Sequence, residues 1–203
     1  MNKKIFYKRS IEVIVIGLLV FSACTRGPAI EEKYPDGKLK YRAETRKYIN
    51  GKIVRHGKVE YYYQNGKLKD AFHYKNGKCD GEYVHYYESG AKYMEGEYVD
   101  DKASGILESW YENGNKMAEY ENGPQGPNGF FRTWYENGAK RSEGVAVNGK
   151  PYGRFTFWYG NGKKKREAVM DGDEVKDSTT LSEWDSTGLM LKDHGKAVAS
   201  HPR

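Results

Sequence analysis

Cysteine is scarce in this sequence, which contains only Cys24 and Cys79 among 203 residues. A chain with so few cysteines has no disulfide framework. The five histidines show neither the His-x-x-x-His nor the Cys-x-x-Cys spacing of metal sites. We therefore predict no metal site and no cofactor, and we expect Cys79 to be a small residue near a turn rather than a reactive thiol.

Leu, Ile, Val and Phe, the usual core residues, are also few and together make up about 17% of the chain. A fraction below roughly 20% indicates disorder when the net charge is high. The net charge is only +6, however, and 18 Tyr and 4 Trp residues supply other apolar surface. Whether the chain folds therefore depends on how its aromatic residues are arranged.

The sequence has one uninterrupted hydrophobic run, at residues 13–20, and it follows four basic residues between positions 3 and 9. A membrane-spanning helix needs about 20 apolar residues, and residues 12–24 are too few. We therefore predict that residues 1–23 are a secretory signal peptide. Its removal takes away four basic residues and one acidic residue, which lowers the net charge to +3. Neither this low charge nor the export of the protein from the cytoplasm fits a nucleic acid partner, so we expect none.

The segment Phe21-Ser22-Ala23-Cys24 resembles a bacterial lipobox. The resemblance implies lipid modification of Cys24, with residues 24–33 as a tether to the cell envelope, at the outer membrane and on its periplasmic or surface face. More than one acyl chain gives stable anchoring. The alternative is cleavage nearby that leaves Cys24 as a thiol.

Glycine recurs with a period of 24 residues in two columns. The first column is Gly66, Gly90, Gly114, Gly138 and Gly162, and the second is Gly57, Gly81, Gly105, Gly129 and Gly153. Such a period is typical of repeat architectures. We predict an array of about six repeats over residues 34–192, followed by a flexible tail at residues 193–203.

Aromatic residues follow the same register in two adjacent columns. One is Tyr63, Tyr87, Tyr111, Tyr135 and Tyr159, and the other is Tyr86, Trp110, Trp134, Trp158 and Trp184. Because side chains alternate along a strand, we expect the columns on opposite faces of a sheet. The tyrosine column is the candidate binding face, and the second column is the aromatic column of the opposite face.

Each repeat is predicted to be a β-hairpin. Asn76-Gly77 is a strong turn signal between two strand-like segments, and turn signals about every dozen residues disfavour helices. We therefore predict an all-β fold, an elongated antiparallel β-meander of tandem hairpins in a single-layer twisted sheet. Lysines at 92, 116, 140 and 164 and glutamates at 95, 119, 143 and 167 form charged ladders, which parity predicts on opposite faces.

The segments at residues 63–69, 74–83 and 134–140 resemble the MORN-repeat variant. Arrays of this kind are identified as YwqK-family antitoxins, and some lipoproteins of the Bacteroidetes group have a similar layout. The resemblance implies tandem hairpins over nearly the whole mature chain and, through the family label, a toxin as partner.

No catalytic signature is present, so we expect a binding protein rather than an enzyme. The first hypothesis is a membrane-anchored scaffold for a protein partner, because Tyr and Trp dominate interface energetics. The narrower form is an antitoxin or immunity protein. The alternative is an envelope structural or glycan-binding lipoprotein, and a third hypothesis is direct lipid contact by the array.

Overall fold

The computed structural model describes residues 24–123, 125–176, 181–193 and 196–197. The signal peptide predicted for residues 1–23 lies outside them, as does most of the tail predicted for residues 193–203. The described residues form strands and turns, with no helix among them. The predicted all-β fold is confirmed.

Seventeen strands form one sheet. The first nine are β1 (Cys24–Arg26), β2 (Ile30–Lys33), β3 (Leu39–Tyr48), β4 (Ile53–Tyr62), β5 (Leu68–Lys75), β6 (Lys78–Tyr86), β7 (Lys92–Val99), β8 (Lys102–Trp110) and β9 (Lys116–Gly123). The others are β10 (Gly126–Trp134), β11 (Lys140–Val147), β12 (Lys150–Trp158), β13 (Lys164–Asp171), β14 (Glu174–Val175), β15 (Ser182–Trp184), β16 (Met190–Asp193) and β17 (Lys196–Ala197).

The sheet is an open antiparallel meander. From β2 to β14 each strand pairs with the next along the chain. At the ends, β1 and β2 follow one edge of β3 as a broken strand, while β14 and β15 both pair with β13. The sheet thus includes residues 24–26 and 30–33, which were expected only as a tether, and also residues 196–197 within the expected tail.

The two kinds of turn match their sequences. Asn76 and Gly77 have φ of 54° and 92°, as the predicted two-residue hairpin turn requires. At the other end of the hairpins, Gly66 closes a turn by donating its N–H to the Tyr63 carbonyl over 2.9 Å. The second glycine column lies at irregularities of the strands, and Gly57 has φ of 97°.

The core occupies one face of the sheet. This core face carries a column two residues past the second glycine, namely Val59, Tyr83, Leu107, Phe131 and Phe155, of which all but Phe131 are buried. Gly144 lies under Phe155, since a Cβ at Gly144 would be 2.4 Å from that ring. On the core face, an aromatic ring therefore packs on the neighbouring strand, in the place that a second layer of structure would otherwise occupy.

The prediction that the lysine and glutamate ladders lie on opposite faces is wrong. Lys92 contacts Glu95 at 2.6 Å, and the same pair recurs as Lys140 and Glu143 at 2.7 Å. The reason is a β-bulge, because Lys92 pairs with Tyr86 and Met94 with His85, so that Tyr93 is an extra residue. One extra residue reverses the alternation and brings both ladders to the same face, here called the charged face.

Candidate binding surface

The tyrosine column predicted as a binding face ties adjacent repeats together. Each hydroxyl donates to the main-chain carbonyl of the aromatic residue 23 or 25 positions later. The pairs are Tyr63 to Tyr86 (2.7 Å), Tyr87 to Trp110 (2.9 Å), Tyr111 to Trp134 (2.9 Å), Tyr135 to Trp158 (2.9 Å) and Tyr159 to Trp184 (3.0 Å). The hydroxyls are therefore already occupied within the sheet, although the rings remain half-buried.

The turns carry a second tie between repeats. The side-chain amide of Asn113 donates to the Glu136 carbonyl over 2.9 Å, and that of Asn137 donates to the Gly160 carbonyl over 2.7 Å. At the opposite edge, the Gly149 N–H donates to the Pro127 carbonyl over 2.8 Å. Each repeat is thus fixed to its neighbours at both ends of its strands as well as by the strand ladder.

The tryptophan column lies on the charged face under the lysine ladder. Each lysine ammonium is over the ring of the next repeat. The distances to the ring centroids are 5.2 Å for Lys92 and Trp110, 5.6 Å for Lys116 and Trp134, 5.3 Å for Lys140 and Trp158, and 5.2 Å for Lys164 and Trp184. The attraction between a cation and an aromatic face stabilises such stacks.

Each lysine of this ladder also binds a carboxylate. The hydrogen bond from Lys140 lowers the pKa of Glu143, and the hydrogen bond to Glu95 raises the pKa of Lys92. The ladder is therefore a set of Glu–Lys–Trp units, electrically balanced and repeated every 24 residues. The charges of the lysine and glutamate ladders thus largely neutralise each other within the protein.

A second set of cations covers the tyrosine column. Lys69 lies 5.8 Å from the Tyr63 centroid, Arg141 lies 5.7 Å from that of Tyr135, and Lys165 lies 5.5 Å from that of Tyr159. Each of these cations is the extra residue of the β-bulge in its strand, the position that Tyr93 occupies in β7. The sequence analysis did not predict either set of cation–aromatic contacts. The constant spacing between the Lys and Trp columns could have indicated the first set.

A groove crosses the last repeats at the tyrosine edge of the core face. It consists of two depressions of about 470 and 330 Å³ that share Phe157 and Lys165. Thr133 and Ser142 lie in the first depression, with their hydroxyls 2.6 Å apart. Phe131, Tyr135 and Arg141 also line the first depression, and Tyr159 and Arg166 line the second.

The remaining sequence-predicted features lie apart from this groove. Cys24 is in β1 at the far end of the sheet, and Cys79 is buried in β6. Burial raises the pKa of the Cys79 thiol. Within the ranges that the structure describes, no cluster of His, Cys, Asp and Glu could hold a metal ion, and no helix is long and apolar enough to cross a membrane.

Two segments, residues 55–76 and 80–100, match the family model described as MORN repeat variant. They correspond to β4–β5 and to β6–β7, and the same hairpin geometry continues through the later repeats. These two segments are therefore similar to the MORN repeat variant, in agreement with the resemblance noted from the sequence. No curated protein matches the sequence.

Among solved structures, the chain is similar to a crystal structure of TarM, with 15% identity and a TM-score of 0.32 over 61% of this chain and 20% of that chain. It is also similar to a point mutant of S. aureus TarM in complex with fondaparinux, alpha-GlcNAc-glycerol and UDP, with 14% identity and a TM-score of 0.32 over 61% of this chain and 21% of that chain. The chain thus spans about a fifth of the length of these structures.

Proposed function

We propose that this protein is a non-enzymatic scaffold that is anchored in the bacterial envelope by a lipid on Cys24 and binds a protein partner. MORN repeats are typical of a repeat-based binding scaffold. The ties between repeats support this function physically. A surface that is already ordered before binding loses less conformational entropy when the partner arrives.

The observation that carries the choice of a protein partner is the position of the cations over the aromatic rings. A polysaccharide binds aromatic residues by stacking its sugar rings on flat, exposed ring faces. Here Lys116 covers Trp134 and Arg141 covers Tyr135, and both rings are half-buried. Little flat ring surface remains for a sugar, which disfavours the glycan-binding alternative.

An apolar patch on the charged face adds support for a protein partner. Phe130, Val145 and Tyr152 are cross-strand neighbours on β10, β11 and β12. Val145 and Tyr152 are 47% and 50% exposed, and Val147 beside them is 41% exposed. Contiguous exposed apolar side chains rimmed by polar residues are typical of protein interaction sites.

The narrower form of the proposal is an antitoxin or immunity protein that neutralises an exported toxin by covering its surface. It depends on the family label and on export. A toxin acting in the envelope fits an anchored scaffold, whereas a cytoplasmic toxin would be out of its reach.

The test is cross-linking in native membranes followed by affinity purification of the full chain and mass spectrometry. We expect one protein enriched in stoichiometric amount over an unrelated lipoprotein treated in the same way. Enrichment of no protein would refute the proposal.

A parallel assay addresses the glycan alternative. Binding to purified peptidoglycan or capsule that is lost in Tyr111→Ala with Tyr135→Ala, and kept in Tyr111→Phe with Tyr135→Phe, would establish sugar stacking instead.

A further inference from the structure

The groove at the tyrosine edge of the last repeats contains cations that the sheet itself does not neutralise. Arg141, Lys165 and Arg166 form no ion pair with any carboxylate among the described residues. The preceding lysines of the same strands differ, because Lys140 and Lys164 bind Glu143 and Glu167. The groove therefore has an excess of positive charge, although the protein as a whole is nearly balanced.

An acidic residue in the lining of the groove does not remove this excess. Glu183 lines the groove beside Arg166, but its carboxylate lies 3.7 Å from the ammonium of Lys192. The pair of Glu183 and Lys192 is neutral as a unit. Three positive charges thus remain in the groove, within reach of solvent or of a ligand.

The same columns carry different residues in the N-terminal repeats. The positions equivalent to the cross-strand pair Arg166 and Glu183 are Asp70 and His85 in an earlier repeat, and there the Asp70 carboxylate contacts the His85 ring. At that end of the core face Lys69 lies over Tyr63, while Arg55 lies over the Tyr41 and Tyr74 rings and donates to the Tyr41 hydroxyl. The last repeats differ because they bring three cations without a carboxylate partner into one groove, which does not follow from the repeat pattern.

The cations of the groove are held in place before any ligand binds. Arg141 and Lys165 lie over the Tyr135 and Tyr159 rings, and the Arg166 guanidinium lies 4.6 Å from the Phe157 centroid. A guanidinium presents its donors in a planar fork that matches a carboxylate. Because the rings restrict these side chains, they lose less freedom on binding a carboxylate.

The spacing of the cations indicates the shape of the ligand. Arg141 lies on β11 and Lys165 at the equivalent position of β13, two strand spacings away, which is about 9.6 Å. A polyproline II segment has three residues per turn and rises about 3.1 Å per residue, so side chains three residues apart lie on one face and about 9.3 Å apart. Aromatic-lined grooves are the usual sites that bind this conformation.

We infer that this groove binds an acidic segment of the protein partner in polyproline II conformation, with carboxylates at every third residue placed on Arg141 and Lys165. This inference rests on the proposed function and names the kind of partner segment. Phe131 and Phe157 lie among the cations and contact the apolar residues between the carboxylates. A polyuronate chain would present the charges without this apolar contact.

The probe is a fluorescent peptide of three Glu-Pro-Pro units, titrated with the purified full chain and followed by fluorescence anisotropy. We expect binding that weakens with added salt, because ionic strength screens exposed charges. Arg141→Glu with Lys165→Glu is expected to lower the affinity at least about tenfold, as loss of interfacial charge pairs does. The matched control, Lys69→Glu, is expected to leave the affinity unchanged.

Three comparisons can overturn the inference. It fails if a Gln-Pro-Pro peptide binds as well, if Lys69→Glu weakens binding as much as the groove variant, or if an oligogalacturonate of equal charge binds more tightly than the peptide. Arg141→Gln with Lys165→Gln, whose fold is checked by circular dichroism, replaces the charge-reversed variant if that one does not fold.

The cross-linking experiment separates this inference from the proposed function. If the partner is captured equally by the wild type and by Arg141→Glu with Lys165→Glu, the scaffold function stands and the groove assignment is wrong. If the wild type captures no protein, the function itself is wrong.

Discussion

Removal of a single tyrosine hydroxyl tests the ties between repeats. Tyr111 donates to the Trp134 carbonyl over 2.9 Å in a partly buried position. Tyr111→Phe keeps the ring and its packing and deletes only this hydrogen bond. A hydrogen bond of this kind contributes about 0.5–1.5 kcal/mol net to stability, so we expect a loss of about 1 kcal/mol in the free energy of unfolding.

The assay is urea unfolding followed by tryptophan fluorescence, with Tyr152→Phe as the matched control. Tyr152 is 50% exposed, and its hydroxyl makes no hydrogen bond within the described part of the chain. Its replacement is therefore expected to leave the midpoint unchanged. The slope of the transition should also stay constant, because the area exposed on unfolding does not change.

Additivity provides a further check of the same reasoning. Tyr63 and Tyr159 tie repeats at opposite ends of the array, and distant sites in a protein contribute independently. The double variant Tyr63→Phe with Tyr159→Phe is expected to lose the sum of the two single losses. A Tyr111→Phe protein as stable as the wild type within about 0.3 kcal/mol would refute the view that these hydroxyls hold the repeats together.

Three other predictions concern the core, the charged face and the anchor. Gly144→Ala is expected to destabilise the sheet by about 1–3 kcal/mol, because its Cβ would be 2.4 Å from the Phe155 ring, and Phe155→Leu should restore part of the loss in urea unfolding. The pKa of Glu143 is lowered by its hydrogen bond with Lys140, so its contribution to stability is present above its ordinary pKa of 4.5 and is lost as pH falls below that value. Lys140→Met should therefore flatten the acid side of the stability profile, and an unchanged profile would contradict the pairing. Cys24→Ser is expected to move the protein from the membrane to the soluble fraction in cell fractionation, and a variant that stays with the membrane would contradict lipid anchoring at this residue.

The strands and turns could be predicted because they depend on local sequence. Asn76-Gly77 adopts positive φ in both residues, as the turn signal indicated. The repeat period then fixed the strands between the turns. The repeat array was predicted to begin at residue 34, but residues 24–26 and 30–33 also pair with β3, although they contain few repeat signals. Their pairing depends on an open strand edge, which no local pattern reveals.

The positions of the charged ladders could not be predicted by counting residues alone. Simple alternation placed Lys92 and Glu95 on opposite faces, but the bulge at Tyr93 brings them into contact. A bulge adds one residue without changing the composition of a strand. The bulge also places Lys69, Arg141 and Lys165 over the tyrosine column. The surface of the candidate site therefore depends on a backbone irregularity that the sequence columns do not show.

In an array of this kind, residues that keep to the repeat pattern serve the sheet first. The tyrosine hydroxyls, the turn asparagines and the Glu–Lys–Trp units all bind groups within the protein, and their recurrence follows from the identical geometry of each repeat. Function is better sought where a column changes. The column of Asp70, Met94, Ala118, Ser142 and Arg166 is such a case, because it changes from a carboxylate to a guanidinium along the sheet. The last repeats keep the shared backbone but carry cations that no neighbour neutralises, and this departure is the physical reason to place the partner there.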